Sequence, residues 1–339
     1  MLSLFSSKGS LGVEITTKYI RFVQIKKRGD FLILKNFGRT SIPGDVFVEG
    51  ELQKPEVLAG LVKKILQETG GETVHFTLPG GSQNFFNLSI REVSEKEIIP
   101  EVVLRLKENV LFNEGRDTIV DINILGKESK TITLRAVSTS SEWFLDYTPI
   151  LSLFNKKIVH IERANQAALT AYAKTNKSVP TLHVQFGDDM SSISVVHNNK
   201  IISYQEIPFA SYRFLIEIQK RLTKPSHTSS SYLATLGVLG ADVREFSEKV
   251  LKPIAVVLDH VITEYGRESG NYIESVSLGG AFGGYKGVSG ILSKHVRLPV
   301  APAYPWHPFD PRFDESIYDM KKSETLEYLV SLGLAIEGI

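Results

Sequence analysis

Residues 11–25, LGVEITTKYIRFVQI, can be laid over residues 182–196, LHVQFGDDMSSISVV, without a gap. In both, apolar residues alternate up to a polar one, Glu14 or Gln185, and a polar turn follows before alternation resumes. Both stretches then reach a second polar turn, KKRGD or HNNK, and a further strand, FLIL or IISYQEI. Period-2 alternation broken by short polar turns reads as a β-hairpin unit. The same unit used twice, half a chain apart, predicts two related lobes facing each other.

The length fits that reading, since 339 residues exceed what one hydrophobic core usually organises. With 42% hydrophobic and 23% charged residues the composition is that of an ordinary globular protein. Basic and acidic residues number 39 and 38, so the net charge of +1 offers no footprint for nucleic acid. The absence of cysteine excludes a disulfide scaffold, a thiolate zinc site and a cysteine nucleophile, and it fits the cytoplasm. No apolar run reaches the roughly 18–20 residues of a membrane helix. The opening MLSLFSSKGS lacks the long apolar core of a secretory signal and reads as a frayed terminus.

Each hairpin is followed by a helix pattern. Pro55 suits a first helical position, Val57, Leu58, Leu61, Val62, Ile65 and Leu66 keep one apolar face, and Gly70 and Gly71 stop it. In the second half SYRFLIEIQKRL (211–222) carries a similar face. Residues 83–158 hold a strand (85–90), a helix (94–111), two strands (118–125 and 130–138) and a helix (141–154), enough for a small α/β subdomain. IERANQAALTAYA (161–173) is a small-residue helix suited to close packing, helices are predicted over 241–268, and ESVSLGGAFGGYKGVSGILSK reads as strand, glycine turn and helix.

Other chemistries find little support. None of the eight histidines pairs with another at helical metal spacing, and neither a GxSxG elbow nor a GxxxxGK[ST] loop occurs. The run Thr228 to Ser231 beside His227 reads as a helix cap or a loop, and Lys26, Lys27 and Arg28 as a solvated hairpin tip. Taken alone, Glu14 is a strand-end carboxylate, and Gly279 and Gly280 let a strand turn into a helix.

In order along the chain, these pieces resemble the actin-like ATPase superfamily and, within it, the PilM family of type IV pilus assembly proteins. The family's opening G-I-(D/E)-I-G-S-S is matched by GVEITTK, and its P-G-x-V-x-x-G-x-(I/L) by PGDVFVEGEL (43–52). The resemblance continues through FTLPGG, IERANQAALTAYA, QEIPF (205–209) and YPWHPFDP (304–311) to the closing EYLVSLGLAIEGI. It implies an α/β protein with the duplicated, ribonuclease H-like fold of actin-like ATPases and an inserted, FtsA-like small subdomain. The implied divisions are a first lobe over 1–82 with 159–179 and 325–339, and an inserted subdomain over 83–158. The second lobe would be 180–222 with 271–324, carrying a helical subdomain over 223–270.

In such folds two hairpin turns, one per lobe, pinch nucleotide phosphates with main-chain N–H groups, and nearby carboxylates hold magnesium through water. The resemblance therefore implies an ATP–Mg²⁺ site built from Glu14, Thr16, Thr17 and Lys18, from Gly187, Asp188 and Asp189, and from Gly279, Gly280, Ala281 and Phe282. Glu14 would be the magnesium carboxylate and the one candidate catalytic residue. Three departures weigh against catalysis. Thr16 stands where the first turn usually has glycine, and a β-branched residue narrows that space. Gln185 stands where the second hairpin usually has Asp, and an amide cannot act as a general base. KPSHTSSSYLATLG (224–237) carries no acid where relatives have one near the ribose. Asp188 and Asp189 replace Gln185 only if the turn is rearranged. The expectation is weakened nucleotide binding with hydrolysis lost.

The implied function is a scaffold of the pilus assembly machine, cytoplasmic and peripheral to the inner membrane. It would be held there by the cytoplasmic N-terminal tail of a PilN-like membrane protein, alongside other machine components, with its own state, monomer, ring or filament, left open. In the family that tail lies in a groove between the first lobe and the inserted subdomain. Two rivals stand beside this reading: an active actin-fold ATPase or sugar kinase, against which Gln185 argues, and an FtsA-like filament former. The ending directly after LAIEGI argues against the second, since FtsA proteins continue into a linker and an amphipathic membrane helix.

Overall fold

The computed structural model describes residues 9–29, 31–70, 73–79, 84–108, 118–154, 159–175, 179–198, 200–222, 228–303 and 325–339. The apolar start, all of YPWHPFDP (304–311) and the first part of KPSHTSSSYLATLG lie outside them. The chain divides into two compact units, one of Met1–Pro43, Lys63–Pro79 and Lys156–Ile339, the other of Gly44–Val62 and Gly80–Asn155.

The first unit contains two five-stranded sheets of the same topology. In the first lobe β1 (Gly9–Ile15), β2 (Tyr19–Arg28) and β3 (Phe31–Ser41) form an antiparallel meander. Two strands, β6 (Thr73–Thr77) and β10 (Val159–Ile161), extend it in parallel, giving the order β10-β6-β1-β2-β3. In the second lobe β11 (Thr181–Gln185), β12 (Ser191–His197) and β13 (Lys200–Ile207) make the meander, and β14 (Ser275–Gly279) and β15 (Val300–Pro302) run parallel beyond β11. The order β15-β14-β11-β12-β13 repeats the first. The duplicated hairpin is therefore the seed of a duplicated ribonuclease H-like sheet, the actin-like ATPase fold.

Strand periodicity explains how each sheet is used. Leu182 and Val184 face a large core that gathers α6 (Ser211–Arg221), α7 (Ser229–Leu236), α8 (Arg244–Ser269), α9 (Gly280–Gly283) and α10 (Val288–Val296). Their alternates, His183 and Gln185, lie on the opposite face, where His183 stacks on Tyr172 of α5 (Ala164–Thr175) with ring centroids 4.4 Å apart. Between the lobes α5 packs Ala167, Ala168 and Ala171 against the final helix, Leu329–Glu337. That helix lies so close to β1 that a Cβ on Gly12 would stand 2.0 Å from the Ser331 carbonyl oxygen, so only glycine fits there.

In the second unit β4 (Phe47–Val48) and β5 (Glu51–Leu52) pair, and β7 (Asn84–Arg91), β8 (Thr118–Glu128) and β9 (Thr131–Ser140) form an antiparallel sheet in the order β7-β9-β8. The helix α2 (Glu95–Lys107) lays Ile98, Val102 and Leu106 onto Phe86, Ile90, Ile132, Leu134 and Ala136. The division between units falls inside α1 (Pro55–Thr69), so 44–62 joins the second unit, where the sequence placed only 83–158. The helix expected over 141–154 is broken into α3 (Ser141–Leu145), α4 (Thr148–Leu151) and a 3₁₀ turn. Pro149, which has no N–H to give an earlier turn, sits in the first turn of α4 and restarts the helix there. Thr228 caps α7 by accepting from the Ser231 N–H, as the hydroxyl run suggests.

Candidate functional site

The β1–β2 register pairs Glu14 directly with Arg21. Antiparallel partners project to the same face, so a carboxylate and a guanidinium meet inside the first hairpin, both almost wholly buried. Arg21 Nη1 lies 3.3 Å from Glu14 Oε2, Nη2 donates to Asp188 Oδ2 at 2.9 Å, and Nε lies 3.7 Å from Glu327 Oε2. One guanidinium thus faces carboxylates from β1, from the β11–β12 turn and from the segment leading into the final helix, and its planar fork matches that demand. Glu327 also accepts from Arg39 Nη1 at 2.7 Å. Tyr19 is flanked by both arginines, at 5.2 Å from Arg21 and 4.9 Å from Arg39.

Electrostatics follow from these distances. Burial pushes the Glu14 carboxyl up to about 7; Arg21 opposes the shift, while Asp188 and Glu327 reinforce it. Arg21 makes its shortest contact with Asp188 rather than with Glu14. Arg21 itself stays charged, because its three carboxylates outweigh the cost of burial. Tyr285 is pushed up to about 12 by burial, with Glu327 and Asp188 close enough to add to it.

The first turn closes on itself. Thr16 Oγ1 accepts from the N–H groups of Lys18 (3.2 Å) and Tyr19 (3.0 Å) and donates to the Tyr19 carbonyl (3.1 Å). The Thr16 N–H reaches the same carbonyl at 2.9 Å. Thr17 gives its hydroxyl to Asp189 Oδ1 at 2.9 Å. Lys18 Nζ sits 4.6 Å from the ring centre of Tyr212. The main-chain N–H groups of Thr16, Lys18 and Tyr19 therefore each have a partner within the protein.

The second turn is tied to α6. The carbonyls of Gly187 and Asp188 accept from the N–H groups of Ser211 (3.0 Å) and Tyr212 (3.1 Å). Gln185 is 2% exposed, with Oε1 3.4 Å from His183 Nε2 and packed under Gly279. Burial pulls the His183 imidazole down to about 4, so it is neutral near pH 7. At the glycine turn the Phe186 N–H donates to the Gly279 carbonyl at 3.0 Å. Gly280 has φ 78° and no room for a Cβ, which would lie 1.9 Å from the Phe186 oxygen. Ala281 is half-buried, and Phe282 is a core residue in contact with Phe186, Phe209 and Phe214.

The fold thus brings together Glu14, Thr17, Asp188 and Asp189, and leaves Gln185, Gly279 and Gly280 as packing around β11. Asp188 and Asp189 do not turn back into the place of Gln185; they reach across to the first turn. A phosphate at the first turn would compete with Thr16 Oγ1 for the N–H groups of Lys18 and Tyr19, and a magnesium ion would compete with Arg21 for Glu14 and Asp188. Among the described residues no group of three His, Cys, Asp or Glu side chains is placed to hold a metal ion. Sequence reading passed over Arg21, Arg39 and Glu327. A signal existed for Arg21, because counting back through the tight turn sets this one charge in an apolar strand opposite Glu14.

No family profile matches the chain, and no curated protein matches it in sequence. Among solved structures it is similar to one described as the PilM–PilN type IV pilus biogenesis complex. That match has TM-score 0.77 and 18% identity, covering 97% of this chain and 98% of the other. It is also similar to the ethanolamine utilization protein EutJ from Carboxydothermus hydrogenoformans, with TM-score 0.54, 11% identity and coverage of 97% and 89%. Both matches take in nearly the whole of this chain and share its fold. Among the described residues no helix is long and apolar enough to cross a membrane.

Proposed function

We propose that this chain is an actin-fold scaffold of the type IV pilus assembly machinery, binding the cytoplasmic tail of a PilN-like inner-membrane protein. The observation that carries the reading is the likeness to the PilM–PilN complex, which spans almost all of both chains, insertion included. The order of the PilM-like motifs along the sequence supports it independently. Through that partner the protein sits at the cytoplasmic face of the inner membrane. It binds nucleotide weakly and hydrolyses little or none. Gln185, buried and neutral, supports that part of the reading, as do the partnered N–H groups of the first turn.

Tail recognition is assigned to the insertion, 83–158. Its three-stranded sheet has β7 and β8 as edges, and an extended peptide is commonly recognised through main-chain hydrogen bonds and a few apolar pockets. Fluorescence anisotropy with a labelled tail peptide of a PilN-like protein tests this on the full chain and on a chain lacking 83–158. The full chain binds the peptide, and the deletion weakens binding by about tenfold or more, roughly 1.4 kcal/mol. Undiminished binding by the deletion overturns the location, and no binding by the full chain overturns the partner. Phosphate release measured on the same preparation with ATP and magnesium separates this reading from an active ATPase. Steady turnover abolished by Glu14→Ala would establish the enzyme instead.

A further inference from the structure

The three contacts joining the first hairpin to the second turn and the start of α6 are complementary in kind. The first hairpin offers a donor and two cations: the Thr17 hydroxyl, the Arg21 guanidinium and the Lys18 ammonium. The second hairpin and the start of α6 answer with acceptors: Asp189, Asp188 and the Tyr212 ring. A phosphate held between two such turns would take N–H groups of the first, and a magnesium ion would face the same carboxylates. We propose that the two turns form an intramolecular latch, with Asp189 in the role of the phosphate and Arg21 in the role of the cation, so that the lobes are held together without a ligand. This goes beyond the scaffold reading and stands whatever the partner is, since every contact lies in the two hairpins, α6 and the segment at Glu327.

The arrangement of charge argues for a built device. Arg21 is nearly inaccessible, with a side chain only 5% exposed, and removing a guanidinium from water is costly unless each of its edges is answered. Asp188 meets the guanidinium in a hydrogen bond, and Glu14 and Glu327 face its other edges as ion pairs, with Nε and Glu14 Oε2 not hydrogen-bonded among the described residues. The buried charge is therefore neutralised only when both lobes and the final segment are in place. Thr17–Asp189 adds a neutral-to-anion hydrogen bond at the rim. A ligand would have to displace Asp189 from Thr17 before it could reach the turn.

The native chain has no cysteine, so spin labels can be placed cleanly at Lys27→Cys in the first lobe and Glu268→Cys in the second, both exposed. Double electron–electron resonance then reads the distance between lobes. The otherwise native chain gives one narrow distribution, unchanged by millimolar tripolyphosphate with magnesium. Asp188→Asn with Asp189→Asn broadens it, and calorimetry shows tripolyphosphate binding at least tenfold tighter than to the native chain. A narrow, native distribution in the folded double variant overturns the latch, whatever that variant binds. Should it fail to fold, Thr17→Val with Asp189→Asn removes only the rim contact, and the same broadening or its absence decides. The tail-peptide assay is separate, so the latch and the pilus reading can fail independently.

Discussion

The two hairpins occupy equivalent places in the two lobes, yet they hold opposite chemistry. In the first, Glu14 is paired across the strands with Arg21; in the second, the corresponding positions are Gln185 and Ser192, also paired and also buried. The first hairpin therefore carries charge inside and a turn whose threonine closes its own N–H groups. The second is neutral inside and carries its charge at the turn, in Asp188 and Asp189. Equal topology and equal burial do not make the halves interchangeable. The buried charge of one half is answered by the turn of the other, and the difference between them is what joins them.

The largest effect that should break this comparison is removal of the guanidinium. Arg21→Met leaves Glu14, Asp188 and Glu327 without their common partner and should cost roughly 3–5 kcal/mol in urea unfolding. Ser192→Ala, at the matching position, should cost under about 1 kcal/mol, since Ser192 Oγ meets no hydrogen-bonding group among the described residues. Equal losses from the two substitutions would show that the guanidinium is not what distinguishes the hairpins.

The pH dependence of stability sharpens the same contrast. Glu14 is raised above its ordinary value, so the folded state holds its proton more tightly and stability falls as pH rises to about 7. His183 is depressed to about 4, so its contribution is present above its ordinary value near 6.5 and is lost as pH falls through about 4. In the native protein the two trends offset each other. Glu14→Gln removes the first, and its stability should rise by about 3 kcal/mol between pH 4 and pH 7. Unfolding curves across that range, with the His183 imidazole followed by NMR, check both signs. A variant whose stability stays flat would mean that His183 is not depressed, and a native protein whose stability rises as steeply as the variant's would mean that Glu14 is ionised throughout.

A smaller effect concerns the turns themselves. Thr16→Val deletes the oxygen that accepts from Lys18 and Tyr19 and should cost about 1–2 kcal/mol. Hydrogen exchange at those two amides should quicken, while the Ser211 and Tyr212 amides, tied to the second turn, keep their protection. If all four quicken together, the turns are coupled more tightly than their own hydrogen bonds require.

Much of this was legible along the chain, because the forces involved are local. Alternation with period 2 placed both meanders, Pro55 and Gly70 bounded α1, and the hydroxyls at 228–231 announced a cap. The interruption at Pro149 was also local and was overlooked. The extent of the second unit was less legible, since no composition shift marks 44–62.

By itself the sequence determined two sheets built from one repeated hairpin, and the neutral Gln185 where a catalytic carboxylate would be expected. It also held the Glu14–Arg21 register, because strands joined by a tight turn can pair in few ways. Only the tertiary structure decided what the turns hold. Asp188, Asp189 and Glu327 lie far along the chain from Arg21 and Thr17, and no local pattern records which distant charges a fold will bring within 3–4 Å of each other.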